Sequence, residues 1–256
     1  MSAHQPIINV HNLSTCFGEI CVHKDISFEV QREEIIAIVG GSGTGKTTLL
    51  HELVMLREPT AGSIYLFEKN IQQLDLEASI AIKRRFGVLF QNGALFSSLT
   101  VAENIAVPLK EYTNLADDLI MEICRLKLAL VGLEPDVAYR FPAQLSGGMV
   151  KRAALARALA LDPEILFLDE PSAGLDPVSA NAFDELILQL RDSLGLSVVM
   201  VTHDIDTLWR VTDRVAFLGE KRILSYAPMS ELYENQHPLI SNYVRGPRGH
   251  AVRISQ

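Results

Sequence analysis

GGSGTGKT, at residues 40–47, decides the fold of this 256-residue chain. Its spacing is G-x-x-x-x-G-K-[S/T], in which glycines let successive backbone N–H groups turn toward a phosphate. A β-rich apolar run precedes it at residues 34–39, and residues 47–53 predict a helix whose N-terminus favours an anion. A glycine-rich turn that matched the spacing by chance would not need both neighbours. The pattern therefore predicts a loop that binds a nucleoside triphosphate, with Lys46 at the β- and γ-phosphates and the Thr47 hydroxyl on Mg²⁺.

A phosphate-binding loop alone does not separate an ATPase from a GTPase or a kinase, and the segment ILFLDE at residues 165–170 adds the next evidence. Its four apolar residues predict a strand buried on both faces of a parallel sheet. Asp169 and Glu170 follow at the strand end, where open α/β sheets bind ligands. An isolated Asp-Glu pair is more often solvated, but beside a phosphate-binding loop Asp169 is expected to hold Mg²⁺ and Glu170 to polarise the attacking water.

A third segment, LSGGM at residues 145–149, leads into an Ala-, Leu- and Arg-rich run at 150–161 that predicts a helix. Ser146 lies where an N-cap is expected, ahead of two glycines, so this helix offers a second N-terminus to an anion. One nucleotide does not need two such sites. The simplest arrangement is therefore two copies of the chain placed head to tail around two nucleotides.

With these segments in this order, the chain resembles the ABC-type ATPases. The resemblance spans residues 17–203 and includes Gln91 after a β-rich run, SAGLDP at 172–177 and VTHD at 201–204. Within that family, residues 90–109 resemble the ATPases of phospholipid transporters that maintain outer-membrane lipid asymmetry. Those ATPases work with an MCE-domain partner.

The resemblance implies a role for each matching residue. Phe17 is expected to stack on adenine, Glu170 to be the catalytic base, and His203 to contact the γ-phosphate and hold water and base in line. Ser146 and Gly148 are expected to touch the γ-phosphate bound to the opposite subunit, and Asp176 to couple the two sites across the dimer.

The residues expected to bind nucleotide are Phe17, Gly40, Gly41, Ser42, Gly43, Thr44, Gly45, Lys46, Thr47, Thr48, Ser146, Gly147, Gly148 and Asp176. The expected catalytic residues are Glu170, His203 and Gln91, and the expected Mg²⁺ residues are Thr47, Gln91 and Asp169. The chain departs from the family pattern at Gly41, where many members carry Pro, and at Met149, where most carry Gln.

Composition limits the alternatives. The net charge of −8 and pI near 5.4 argue against non-specific nucleic-acid binding. No apolar stretch reaches the roughly twenty residues that a membrane span needs, and residues 1–12 lack the order of a secretory signal. The three cysteines, Cys16, Cys21 and Cys124, are odd in number and lack metal-site spacing, which predicts reduced thiols in a reducing compartment.

The predicted fold class is α/β: a P-loop NTPase core of mostly parallel sheet, an antiparallel β edge region at residues 7–17 and 21–30, and an inserted helical subdomain. The predicted boundaries are about 1–91 and 162–228 for the core, 92–161 for the helical subdomain, and 229–256 for a C-terminal helix and tail. The helix is predicted at residues 229–244, and the Arg-rich tail, residues 245–256, is either a solvated end or an arm that crosses to a second cassette or an accessory subunit.

Three function classes remain: the motor of a membrane transporter, a soluble ABC-type ATPase, and a non-hydrolysing scaffold. The transporter is favoured because the chain has one acidic cassette and keeps Glu170 and His203. The resemblance implies ATP and Mg²⁺ as cofactors, phospholipid as cargo with a small solute as the alternative, and a peripheral position at the cytoplasmic face of an inner membrane. The implied partners are a second cassette, permease subunits, an MCE-domain subunit and a small STAS-domain subunit, with no nucleic acid.

Leu95, Phe96 and Leu99 either pack inside the helical region or form a groove for a short permease helix.

Overall fold

The computed structural model describes residues 5–246, so residues 247–256 of the predicted tail lie outside the described part. The strands in this part are β1 (Ile8–Phe17), β2 (Ile20–Val30), β3 (Ile35–Gly40), β4 (Ala61–Leu66), β5 (Lys69–Asn70), β6 (Phe86–Leu89), β7 (Ile165–Asp169), β8 (Ser197–Val201), β9 (Arg214–Gly219) and β10 (Arg222–Ala227). The α-helices in it are α1 (Lys46–Leu53), α2 (Leu76–Lys83), α3 (Val101–Tyr112), α4 (Asp117–Leu130), α5 (Gly147–Ala158), α6 (Pro177–Leu194), α7 (Ile205–Val211), α8 (Met229–Glu234) and α9 (Pro238–Arg245). None of the helices described between residues 5 and 246 is both long and apolar enough to cross a bilayer.

The described chain divides into two compact units. The first contains residues 5–79 and 197–246, and the second contains residues 80–196. The boundaries that the sequence suggested for core, helical subdomain and C-terminal part stay a prediction.

An antiparallel sheet in the first unit has the strand order β2-β1-β4-β5. Strands β1 and β2 form a hairpin in which Cys16 lies opposite Cys21 and Phe17 lies opposite Ile20. The antiparallel edge region predicted at residues 7–17 and 21–30 is therefore confirmed.

The phosphate-loop strand belongs to a second set of strands in this unit, in the order β10-β9-β3-β8. Strand β3 pairs in parallel with both β8 and β9, and β10 pairs with β9 in antiparallel fashion. Every residue of β3 and β8 is buried, as expected for parallel strands that are covered on both faces. The hydroxyl of Tyr226 on β10 donates to the carbonyl oxygen of Glu29 on β2 at 2.6 Å and ties the two sets of strands together.

The second unit contains the parallel pair β6 and β7, with Phe86 opposite Ile165 and Leu89 opposite Leu168. All five residues of β7 are buried, which confirms the strand predicted at residues 165–168. Helix α5 packs close to β6 at Gly87, where an added Cβ would lie 2.2 Å from the carbonyl oxygen of Ala158. No larger residue fits there, so this glycine sets the approach of helix to strand.

The prediction of one helix at residues 229–244 is wrong, because α8 ends at Glu234 and α9 begins at Pro238. Proline has no N–H and forces the preceding residue, His237, into an extended conformation, so the helix cannot continue through it. Arg245, predicted as the first residue of the tail, is instead the last residue of α9. Its Nε donates to the carbonyl oxygen of Tyr233 at 2.8 Å, and its guanidinium lies 5.0 Å from the centre of that ring.

The expectation of three reduced cysteines is also wrong, because Cys16 and Cys21 form a disulfide. Their positions are five apart in the chain but directly opposite in the hairpin, which brings the two side chains together. Cys124 is the free cysteine of the described residues and is buried on α4.

Candidate functional site

The loop between β3 and α1 has the backbone that the glycine spacing predicted. Gly43 and Gly45 have φ values of +76° and +93°, which favour glycine. At Gly40 an added Cβ would lie 2.3 Å from the carbonyl oxygen of Leu218 on β9, so the strand end admits no side chain. Gly45 is the N-cap of α1 and supplies no side chain to the first N–H groups of that helix. These N–H groups therefore face the loop, as an anion site requires.

Lys46 extends over the loop that precedes it. Its Nζ donates to the carbonyl oxygens of Gly40 and Gly41, both at 2.9 Å, and the Thr44 hydroxyl donates to the same oxygen of Gly41 at 2.9 Å. Thr47 is exposed at the start of α1. The loop therefore presents an ammonium group, a hydroxyl and a helix N-terminus at one place, which is the chemistry that binds a phosphate chain with its magnesium ion.

A buried polar cluster lies behind this loop, and the sequence analysis missed it. His23 on β2 and Glu52 on α1 are both fully buried, with 3.7 Å between His23 Nδ1 and Glu52 Oε2. The Thr15 hydroxyl donates to Glu52 Oε1 at 2.5 Å. His23 lies against the loop itself, since a Cβ on Gly45 would be 2.4 Å from His23 Nε2. A signal existed in the sequence, because Glu52 interrupts the apolar face of α1.

Phe17, the expected adenine-stacking residue, is the last residue of β1 and is 44% exposed. The guanidinium of Arg57 lies 4.4 Å from the centre of its ring. The Cys16–Cys21 disulfide closes the hairpin tip that carries it. The ring is therefore held at an exposed tip beside a cation.

His203 belongs to the same unit and follows the end of β8 in an exposed segment. The next residue, Asp204, caps α7 by accepting a hydrogen bond from the backbone N–H of Asp206 at 2.9 Å. Buried Thr202 and this cap fix the backbone on both sides of the histidine.

In the second unit, Gln91, Asp169 and Glu170 lie at or just after the carboxyl ends of β6 and β7. Asp169 is the last residue of β7 and is 8% exposed. Glu170 follows with φ of +47°, a conformation that L-residues rarely adopt. Because β6 and β7 are parallel neighbours, their carboxyl ends meet at one edge.

Lys151 on α5 connects these residues, and no motif pointed to it. Its Nζ donates to the carbonyl oxygen of Gln91 and, at 3.2 Å, to that of Glu170. Burial lowers the pKa of Lys151, while the carboxylates of Asp169 and Glu170 act in the opposite direction. A buried amine donor is thus placed among the residues predicted to do the chemistry.

Ser146 is the N-cap of α5, as predicted, and its Oγ accepts a hydrogen bond from Met149 N at 3.3 Å. Among the atoms of residues 5–246, none lies within 4 Å of a Cβ added at Gly147, and only Leu175 Cδ2, at 3.9 Å, lies that close to one added at Gly148. The helix N-terminus is therefore open on its glycine side, where a partner or ligand can approach the backbone.

Asp176, which the resemblance assigned to coupling between subunits, is the N-cap of α6. Its carboxylate accepts hydrogen bonds from Val178 N at 3.1 Å, from Ser179 N at 3.0 Å and from the Ser179 hydroxyl at 2.5 Å. The bonds from Ser179 hold the pKa of Asp176 below its usual value. The Asp-Pro-x-Ser pattern signals this cap in the sequence, because proline is favoured at the first helical position.

Several known proteins are similar in sequence to this chain over most of its length. The sequence profile of the family described as "ABC transporter" matches residues 23–173. The chain is 36% identical over 249 residues to the "Probable ribonucleotide transport ATP-binding protein mkl" of Mycobacterium tuberculosis, covering 97% of this chain and 69% of the relative. It is 34% identical over 251 residues to the "Intermembrane phospholipid transport system ATP-binding protein MlaF" of Haemophilus influenzae, covering 98% and 95%. It is 36% identical over 240 residues to the protein of that name in Escherichia coli K12, covering 94% and 89%.

Solved structures have the same fold. The post-hydrolysis dimer of the ATP-binding cassette MJ0796 with ADP and Pi superposes with a TM-score of 0.79 at 30% identity, covering 87% of this chain and 98% of that one. CbiO1 from Clostridium perfringens, part of the ABC transporter complex cbiONQ, superposes with a TM-score of 0.82 at 28% identity, covering 97% and 99%. The predicted α/β class is therefore confirmed.

Proposed function

Since this chain belongs to the ABC transporter family of ATP-binding proteins, we propose that it is the ATP-hydrolysing motor of a transporter that moves phospholipid between the two membranes of a Gram-negative envelope. The observation that supports phospholipid as the cargo is the match with two proteins named for intermembrane phospholipid transport. Each match extends along most of the length of both chains. In this proposal the chain works at the cytoplasmic face of the inner membrane, bound to permease subunits.

Nucleotide binding rests on the first unit. We propose that the backbone N–H groups of the loop at residues 40–47 and the Lys46 ammonium hold the β- and γ-phosphates, while Phe17 stacks on adenine. Lys46 already lies over the loop carbonyls at 2.9 Å, so a phosphate chain would exchange those neutral acceptors for charged ones. Lys46→Ala is expected to weaken nucleotide binding itself.

We propose that Thr47, Gln91 and Asp169 supply the oxygen ligands of a magnesium ion. Thr47 offers a hydroxyl, Gln91 an amide oxygen and Asp169 a carboxylate, and hard oxygen ligands are the ones that Mg²⁺ prefers. When bound, the ion would neutralise charge that develops on the phosphate oxygens.

Hydrolysis is assigned to Glu170 as the base that takes a proton from the attacking water. We propose that His203 holds water and base in line and that Gln91 senses the γ-phosphate. Glu170→Gln should leave Mg-ATP binding nearly intact and slow turnover roughly 10²–10⁴-fold, the usual contribution of a general base. Hydrolysis by Glu170→Gln at the parental rate would refute this assignment.

Two cassettes form the active unit in this proposal. Ser146 and Gly148 of each chain would contact the γ-phosphate on the other, and closure on ATP would alternate with opening after hydrolysis. Mixing inactive Lys46→Ala chains with inactive Ser146→Arg chains should restore activity, because a mixed dimer has one intact site. Absence of rescue when mixed dimers are shown to form would contradict sites shared between chains, or show that both sites must act together.

The permease contact is proposed at a groove in the second unit. A cavity of about 480 Å³ there is lined mainly by apolar side chains, among them Val88, Phe96 and Val107, and also by Lys83, Glu111 and Arg157. Phe96 is 53% exposed, and the buried side chain of Asn104 fixes the loop around it, accepting from Phe96 N at 2.7 Å and donating to Phe96 O at 3.1 Å. An exposed phenylalanine on a rigid loop is what an amphipathic helix can dock against. Phe96→Asp should abolish stimulation of ATPase activity by the permease, and unchanged permease binding by the folded variant would refute the groove.

The cargo is tested on the purified complex. We expect phospholipid to co-purify with it, together with the MCE-domain and STAS-domain subunits, and reconstituted complex to move labelled phospholipid between vesicles in the presence of ATP. Complex carrying Glu170→Gln is the control and should not transfer lipid. The mycobacterial relative named for ribonucleotide transport supplies the second candidate. Stimulation of ATPase activity by ribonucleotide, with no lipid bound, would favour that small-solute cargo.

A further inference from the structure

Lys151 carries a role that the motifs do not assign. It is the fifth residue of α5 and is 6% exposed, and lysine is almost never this buried without partners. Within the described residues, its Nζ donates to the main-chain oxygens of Gln91 and Glu170, which lie 60 and 19 residues away in sequence. One ammonium group therefore ties α5 to the ends of β6 and β7.

The contact with Glu170 falls where the backbone needs support. Glu170 has φ of +47°, and a left-handed conformation of an L-residue persists only when its surroundings hold it. Its carbonyl oxygen accepts from Lys151 Nζ and from Ala173 N, both at 3.2 Å. These bonds fix the peptide after Glu170 and thereby the direction in which its carboxylate leaves the chain.

The other end of the same helix begins at Ser146, five residues before Lys151 and thus roughly 7.5 Å along the axis at 1.5 Å per residue. Ser146 caps the same continuous helix that carries Lys151, so we expect displacement of the helix N-terminus to displace the lysine as well. Resting on the proposed function, in which Ser146 meets the nucleotide of the opposite subunit, this geometry connects one site to the other.

We propose that Lys151 is a positioning residue that holds Glu170 and Gln91 to α5, so that engagement of Ser146 by one nucleotide sets the catalytic base of the chain's own site. The lysine need not touch nucleotide. It acts through the carbonyl groups of the residues that do.

The test compares Lys151→Met with Lys151→Arg in the full-length protein. Methionine keeps the unbranched shape but removes charge and donors, whereas arginine keeps both. We expect Lys151→Met to lower kcat roughly 10- to 100-fold, the scale of an ångström-sized misplacement, with KM for ATP changed less than about threefold. Lys151→Arg should recover most of kcat. Unchanged kcat in folded Lys151→Met, or equal loss in both variants, would overturn the inference.

The chain offers a matched control in Lys127, another buried lysine of the same unit. It is 2% exposed, and its Nζ lies 2.5 Å from Asp162 Oδ1. Lys127→Met should reduce thermal stability about as much as Lys151→Met but leave kcat at the parental value. If Lys151→Met does not fold, Lys151→Gln takes its place in the same comparison.

A second background separates this inference from the proposed function. In a chain that already carries Glu170→Gln, Lys151→Met should change the residual rate less than about twofold, because two residues that act as one unit are not additive. The same fold-loss in both backgrounds would show that Lys151 does not act through Glu170, while Glu170 would remain the base. Hydrolysis by Glu170→Gln at the parental rate would instead remove the proposed function.

Discussion

The buried cluster of Thr15, His23 and Glu52 gives the sharpest prediction about stability. Among the residues described, neither ring nitrogen of His23 has a hydrogen-bond partner. Of the two carboxylate oxygens of Glu52, only one has a partner within these residues. Glu52 Oε1 accepts from the Thr15 hydroxyl at 2.5 Å, and Oε2 has His23 Nδ1 at 3.7 Å. The His23–Glu52 pair itself adds little net stability. Removing either residue, however, leaves the other one buried without its partner, which is costly.

His23→Leu should therefore cost about 3 kcal/mol of unfolding free energy, because it removes the basic side chain beside a buried carboxylate. Glu52→Met should cost a similar amount by leaving His23 and the Thr15 hydroxyl unsatisfied. The triple variant Thr15→Val/His23→Leu/Glu52→Met replaces the whole cluster with apolar groups of similar volume. We expect it to lie within about 1 kcal/mol of the parent or above it.

Urea unfolding followed by circular dichroism measures these differences. With an m-value of about 3 kcal/mol/M for a chain of this size, each single variant should shift the midpoint down by about 1 M. Arg125→Ala is the control, since the Arg125–Glu122 pair is exposed and should be worth less than about 1 kcal/mol. A triple variant whose loss equals the sum of the single losses would refute the reasoning, because independent side chains add and a compensating cluster does not.

Three further predictions follow from individual contacts and from the metal assignment. Native protein at pH 8 should react with no thiol reagent, since Cys16 and Cys21 are joined and burial raises the pKa of Cys124 to about 11, which keeps its thiol neutral below that pH. Denatured protein should show one reactive thiol, and protein that is both denatured and reduced should show three. Two reactive thiols in native, unreduced protein would contradict the disulfide. Thr100→Ala should cost about 1 kcal/mol in thermal or urea unfolding, since the Thr100–Glu103 capping box starts α3, and Thr100→Ser should recover most of it; equal stability of all three proteins would count against the cap. Excess EDTA should stop ATP hydrolysis and added Mg²⁺ restore it, whereas hydrolysis that continued in EDTA would exclude the magnesium assignment.

Much of the fold and the phosphate loop could be predicted because their signals are local. Glycine at 40, 43 and 45 is required by the backbone of one loop, and a buried parallel strand is apolar at every position, as at residues 165–168. The Ser146 cap is also local, because its Oγ accepts a hydrogen bond from the backbone N–H of Met149, three residues later. In each case the residues that set the structure are neighbours in the chain, so spacing alone carries the information.

Other features depend on residues that are distant in sequence. Lys151 reaches Gln91 across 60 positions, and Thr15 reaches Glu52 across 37. The sequence showed a lysine in a helix and a glutamate on an apolar face, but which carbonyl or hydroxyl each one meets depends on how strands and helices pack.

The sequence by itself determined the phosphate loop, the strands that carry the catalytic candidates and the family to which the chain belongs. Only the tertiary structure decided that Cys16 is bonded to Cys21, that Glu170 has a left-handed backbone, and that Lys151 donates to its carbonyl oxygen. The physical reason is that backbone propensity and hydrophobic period act over a few residues, whereas a buried polar group is satisfied by whichever distant partner packing brings within hydrogen-bond reach.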